Sequence, residues 1–115
     1  PLTLLLPIRE SVPIWVSHNS PIVGIRIPEN KIALELIDLC NKPLLVPSAN
    51  RNGEKPAMSA KEVYNIFGDE LDYIIDSDAE GVLPSTILDL TKDEYKIVRE
   101  GPIKLEMIEK VTKGE

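Results

Sequence analysis

Cysteine and histidine occur once each in 115 residues, as Cys40 and His18. A lone thiol excludes an internal disulfide, and the two residues give no zinc spacing. With no disulfide framework, a cytoplasmic compartment is the default expectation. No apolar run approaches the roughly 20 residues that span a bilayer, and "PLTLLLPI" carries Pro1 and Pro7. No secretory leader is visible. Basic charge is also scarce. The formal net charge is −6 and the pI about 4.8, which argues against a large basic footprint for nucleic acid, although a local patch stays open. The Lys and Arg residues are scattered and form no block. Neither G-x-x-x-x-G-K-S/T nor G-x-G-x-x-G is present, so both common phosphate cradles are missing. There are no repeats and no low-complexity tract. The first residue is Pro1, inside an apolar run, so the chain reads as a piece of something longer.

What is present is ordinary for a globular chain: 43% hydrophobic and 28% charged residues, at a length that supports one domain. Short β-type runs recur at Leu2–Ile8, Pro13–Ser17, Ile22–Ile27, Leu44–Val46, Tyr73–Asp76, Thr86–Leu90 and Tyr95–Val98. Several are apolar on successive residues, as in strands covered on both faces. Glu29–Cys40 repeats apolar residues at helical spacing after Pro28. Ser59–Phe67 is marked as a helix by a Ser59/Glu62 capping box and by Gly68 as a left-handed terminator. A third helix, Leu105–Val111, follows a turn at Pro102. Ten prolines fit many short strands that end abruptly. The order predicts an α/β (α+β) domain with a mixed, twisted sheet and helices packed on it.

Most chemistry-bearing residues have an ordinary reading. His18 sits between turn residues and reads as a surface residue, Trp15 as core, and Cys40 as a structural thiol on the apolar side of a helix. Four places resist. Arg26 lies in the apolar strand "IVGIRIP", either on the solvent face of an edge strand or as a clamp for a carboxylate or phosphate. Ser48 and Asn50 follow the run Leu44–Val46. They form either a simple turn or a pair of neutral groups at a crevice beyond a strand's carboxyl end. Ser85 and Thr86 open a strand in "LPSTILDL". Arg99 ends one in "IVREGPI", just before the Gly101-Pro102 turn. Each is a polar residue at the end of an apolar run, and such ends converge when strands lie side by side.

In this order, "PLTLLL", "VGIRIP", "PSAN..G..P..S..EV", "STILDL" and "IVREGPI" resemble the back half of the YrdC-like family, the L-threonylcarbamoyl-AMP synthases. The resemblance implies a YrdC-like fold, with residues 1–115 as the C-terminal portion of a single domain. The front half, with a Lys-x-Arg element for phosphates, would lie outside this chain. It also implies synthesis of threonylcarbamoyl-adenylate from L-threonine, bicarbonate and ATP, with release of pyrophosphate, for threonylcarbamoyladenosine in tRNA. By motif, Ile22 (backbone), Ser48, Asn50 and Arg99 would meet ATP. Arg26, Val46 (backbone) and Ser85 would meet L-threonine. No side chain is assigned as catalytic or as a metal ligand, because positioning and compensation of phosphate charge carry this chemistry. Mg²⁺ is expected through the phosphates. Partners would be the three substrates and tRNA-modification proteins, with weak or no direct nucleic-acid binding and no membrane.

The chain departs from the family pattern in its loop. "NRNGEKP" is one residue longer than usual, Ala57 stands where Ser often follows the Pro, and Glu100 stands where Pro commonly follows the Arg. Two other readings belong beside the synthase: a YrdC-like module of a carbamoyl-transfer (hydrogenase maturation) protein, and a non-catalytic paralogue that binds nucleotide or RNA.

Overall fold

A computed structural model describes residues 1–79 and 83–114. The chain divides into two compact units, Pro1–Pro43 with Leu83–Glu115, and Leu44–Val82.

The first unit is built on a four-stranded mixed sheet. Its strands are β1 (Leu2–Pro7), β2 (Ile22–Arg26), β3 (Thr86–Asp89) and β4 (Lys96–Arg99), in the order β2-β1-β3-β4. β1 runs antiparallel to β2 and parallel to β3, and β3 runs antiparallel to β4 with a register shift between Ile87 and Leu88. The predicted strands here form within a residue or two of their expected ends, and the mixed α/β class holds. The inner strand β3 is the best covered: Thr86 and Leu88 are buried, while β2 and β4 are edge strands with mostly exposed residues. The expectation of strands covered on both faces therefore fails at the edges.

Residues 13–17 correct a second expectation. Ile14–Ser17 is a turn of 3₁₀ helix, not a strand. Pro13 fixes the entry, and the Ser17 hydroxyl reaches the carbonyls of Ile14 and Ser20 at 3.2 and 2.6 Å. His18 and Asn19 then take left-handed conformations, which short polar side chains tolerate and a β-strand does not. His18 is exposed, as expected. Trp15 is not core; it is 64% exposed.

Helix α1 (Lys31–Cys40) starts where Asn30 Oδ1 accepts the Ala33 amide at 2.9 Å and stops at Asn41 in the left-handed region. The Asn30 cap explains why the helix begins two residues later than expected, at Lys31 rather than Glu29, while its end at Cys40 is the expected one. Cys40 is half-buried at its end. The C-terminal helix, Leu105–Thr112, buries Ile108.

In the second unit, α2 (Ala60–Phe67) carries the expected cap. Ser59 Oγ accepts the Glu62 amide at 3.2 Å, while the Glu62 carboxylate accepts the amide of Met58 at 2.8 Å, one residue before the reciprocal partner of a capping box. Gly68 follows with φ +47°, a backbone angle that suits glycine. Two further runs are corrected. Leu44–Val46 and Tyr73–Asp76 form no strand. The ladder contact among the described residues here is the bridge Ser59–Asp78, beside the Ala79 amide on the Met58 carbonyl at 2.9 Å. An apolar extended run becomes a strand only where a neighbouring backbone supplies its hydrogen bonds.

Candidate functional site

The register of the sheet lines up residues that are far apart in sequence. Arg26 pairs with Thr3, Thr3 with Ile87, and Ile87 with Arg99. Partners directly opposite share a face, and side chains two apart on a strand share it as well. Ile22, Arg26, Thr3, Ser85 and Arg99 therefore belong to one side of the sheet. Contacts agree. Thr3 Oγ1 lies 2.7 Å from Ser85 Oγ, and a Cβ on Gly24, midway between Ile22 and Arg26, would meet the side chains of Thr3 and Leu5. The two arginines stand at opposite edges of this row, three strand spacings or about 14 Å apart.

The arginines are held differently. Arg26 lies on edge strand β2 and is exposed, without an ion pair or hydrogen bond among the described residues. Arg99 is anchored. Its Nε and Nη2 donate to the Ser85 carbonyl at 3.0 and 2.8 Å, and Nη2 also reaches Ser85 Oγ at 3.3 Å. A guanidinium is planar, so fixing Nε and Nη2 sets the direction of Nη1. Neither arginine is neutralised by a carboxylate among the described residues. Between them sits the buried Ser85 hydroxyl, 4% exposed and shared by Thr3 and Arg99. The row thus offers two cationic forks flanking a hydroxyl pair, an arrangement suited to anionic groups at both ends of a ligand.

The remaining predicted site residues, Val46, Ser48 and Asn50, lie in the second unit. Val46 and Ser48 are exposed. The turn closes with the Asn50 amide on the Ser48 carbonyl at 3.0 Å and the Asn50 side-chain amide on the Arg51 carbonyl at 2.9 Å. Asn50 Oδ1 is buried and accepts no hydrogen bond among the described residues. A buried acceptor left unmet costs about 1–3 kcal/mol, so it marks a place where a donor is to be expected. Next to it, Arg51 pairs with Glu70, donates to the Ile66 carbonyl at 3.1 Å and lies 5.1 Å from the centre of the Phe67 ring. The bond and charge of Glu70 hold its pKa above the ordinary arginine value.

Sequence reasoning missed the partners of two residues. Thr3 is the one hydroxyl in β1, and only the β1–β3 pairing reveals that it meets Ser85. Thr86 stands out in the sequence only as a polar residue at the opening of a strand, with no partner that its neighbours in sequence disclose. Its hydroxyl in fact donates to the Ile103 carbonyl at 2.7 Å and accepts the amides of Gly101 and Ile103 at 3.0 and 3.1 Å. Among the described residues, no group of three His, Cys, Asp or Glu side chains could hold a metal ion.

Comparison with known proteins gives this geometry a family. The threonylcarbamoyl-AMP synthase of Pyrococcus abyssi is 39% identical over 112 residues, covering 96% of this chain and 33% of its own length. The crystal structure of Pyrococcus abyssi Sua5 complexed with L-threonine superposes with a TM-score of 0.84 at 39% identity, covering 96% of this chain and 33% of that one. The crystal structure of Escherichia coli YciO superposes at 0.70 with 27% identity, covering 92% and 52%. The chain thus spans about a third to a half of the relatives it matches. The family model Sua5/YciO/YrdC, described as telomere recombination, matches residues 1–101. With the mixed sheet, the row of motif residues and this match over most of its length in agreement, the chain belongs to the Sua5/YciO/YrdC family.

Proposed function

We propose that these residues form the C-terminal portion of one YrdC-like domain that makes L-threonylcarbamoyl-AMP from L-threonine, bicarbonate and ATP. The observation that carries the reading is the pair of un-neutralised guanidiniums, Arg26 and Arg99, on one side of the sheet with the Ser85 hydroxyl between them. The substrates have matching chemistry. Threonine presents a carboxylate, which Arg26 would hold as a fork, with Ser85 and the backbone at Val46 beside the amino acid. ATP presents phosphates, for which Arg99 Nη1 is available, with Ser48, Asn50 and the backbone at Ile22 as further contacts. Threonine at one end and ATP at the other would bring the amino group, carbonated to a carbamate by bicarbonate, toward the α-phosphorus. The carbamate oxygen then forms the P–O bond as the bond to pyrophosphate breaks.

Such a reaction draws on orientation and charge compensation rather than on a side-chain base. Magnesium would arrive on the nucleotide's phosphates, since it keeps most of its waters and needs few protein ligands. The threonylcarbamoyl group would go on to adenosine in tRNA, in the cytoplasm. That the solved Pyrococcus abyssi Sua5 is complexed with L-threonine supports the threonine assignment. The test is product analysis. Protein of the relatives' length carrying this chain, incubated with ATP, L-threonine and ¹³C-bicarbonate, should yield an adenylate whose mass includes both threonine and the labelled carbon. An adenylate without the label would contradict the reading.

A further inference from the structure

Thr86 lies outside the row of proposed ligand contacts, yet it is the most completely buried side chain among the described residues, at 0% exposure. It alternates with Ser85, so its side chain points to the other side of the sheet. A threonine hydroxyl has one hydrogen to donate and two lone pairs to accept with, and all three are used: Ile103 carbonyl, Gly101 amide and Ile103 amide. The backbone is equally tight at Gly101. A Cβ there would lie 2.5 Å from both the Pro84 carbonyl oxygen and the Thr86 nitrogen, and 2.8 Å from the Ser85 carbonyl carbon. The turn after β4 is therefore clamped against the start of β3 from behind. Ser85 directly precedes one end of this clamp, and Arg99 lies two residues before the other.

We propose that Thr86 is a positioning residue: its hydroxyl ties the Gly101–Ile103 turn to β3, and so holds the Arg99 guanidinium across the Ser85 carbonyl with Nη1 aimed at the ligand face. The proposal rests on the reading above, in which Arg99 meets ATP. Without the clamp, β4 retains its ladder to β3, but the exit of Arg99 from the sheet is no longer fixed, and the two bonds to the Ser85 carbonyl lose their geometry. Thr86 touches no substrate; it acts through Arg99.

The experiment is a nuclear magnetic resonance measurement of the Arg99 Nε–H group in ¹⁵N-labelled protein of the relatives' length carrying this chain, with and without ATP. In the wild-type protein this hydrogen should exchange with solvent far more slowly than in a free arginine. Thr86→Val, of similar shape without the hydroxyl, should restore fast exchange, and Thr86→Ser should keep it slow. Gly101→Ala, which displaces the same turn without touching the hydroxyl, should behave like Thr86→Val. ATP should shift the resonance in wild type and in Thr86→Ser, and Thr86→Val should need about tenfold more ATP, the effect of one lost hydrogen bond. Fast exchange in the wild-type protein overturns the clamp, whether or not the variants fold. Slow exchange in wild type with no response to ATP overturns the positioning role by removing the ligand reading beneath it. A response to ATP that is equal in wild type and Thr86→Val overturns the proposal while leaving that reading in place.

Discussion

Arg26 and Arg99 carry like charges in one row of the sheet, but only Arg99 is tied to its neighbours. Their substitutions should separate the two ligands. Arg26→Ala should weaken L-threonine binding by roughly tenfold to a hundredfold, the cost of an unmade charge-assisted hydrogen bond, and leave ATP binding nearly unchanged. Arg26→Lys should recover part of the loss, because an ammonium cannot present the fork. Arg99→Ala should show the opposite bias and make ATP binding less sensitive to salt. Calorimetric titration of both ligands against each variant reads this directly, and equal losses of both ligands would contradict the assignment. Asn50 offers a second test at this scale. Its Oδ1 is buried without a donor, so Asn50→Ala removes a cost together with one bond to the Arg51 carbonyl. Unfolding in urea should move by about 1 kcal/mol or less, while ATP affinity falls severalfold. A large loss of stability with intact ATP binding would make Asn50 a purely structural turn residue.

At the scale of elements, what the sequence discloses is what is local. The start of α2 is written in Ser59 and Glu62, two residues three positions apart that contact each other, and the stop of the helix in Gly68. The four paired strands were likewise legible as apolar runs. Pro13–Ser17, Leu44–Val46 and Tyr73–Asp76 have the same β-type composition, but Pro13 and the Ser17 hydroxyl favour a 3₁₀ turn in the first. The other two find no ladder among the described residues. The candidate site was legible as a set of residues and not as a row. That row depends on the parallel pairing of β1 with β3 across more than 80 intervening positions, which no local pattern encodes. The end of β3 carries its own pH dependence. Asp89 accepts from the Thr91 hydroxyl at 2.6 Å and from the Thr91 amide at 2.9 Å, and these bonds, the side-chain one first, hold its pKa below the usual carboxylate value. A folded-state pKa below the unfolded one means that the contribution is present above the ordinary carboxylate range and is lost as pH falls through the folded value. Thr91→Val removes the larger cause, so the Asp89 carboxyl carbon should titrate at higher pH in the variant. An unchanged titration would show that the backbone amide alone sets it.

For the whole molecule the dominant fact is exposure. Among the described residues only Leu88 and Ile108 are buried hydrophobics, while Trp15, Ile27, Leu39 and Val46 are each more than 60% exposed. Since the chain spans a third to a half of its relatives, these apolar faces fit the proposal that it is part of a larger domain. Studied alone, it should sediment with a concentration-dependent mass. It should release no pyrophosphate from ATP, threonine and bicarbonate, because the Lys-x-Arg element that the family resemblance implies for the phosphates would lie outside these residues. A monodisperse monomer with clear turnover would show that the 115 residues are self-sufficient.

We propose that the sheet row from Arg26 to Arg99 is the threonine and ATP face of a threonylcarbamoyl-AMP synthase. Its most direct test is pyrophosphate release by protein of the relatives' length carrying this chain, followed as a function of threonine concentration at saturating ATP and bicarbonate. Release should require threonine, with an Arg26→Ala variant needing on the order of tenfold to a hundredfold more of it. Release that is indifferent to threonine, or an Arg26→Ala curve that overlays the wild type, would contradict it.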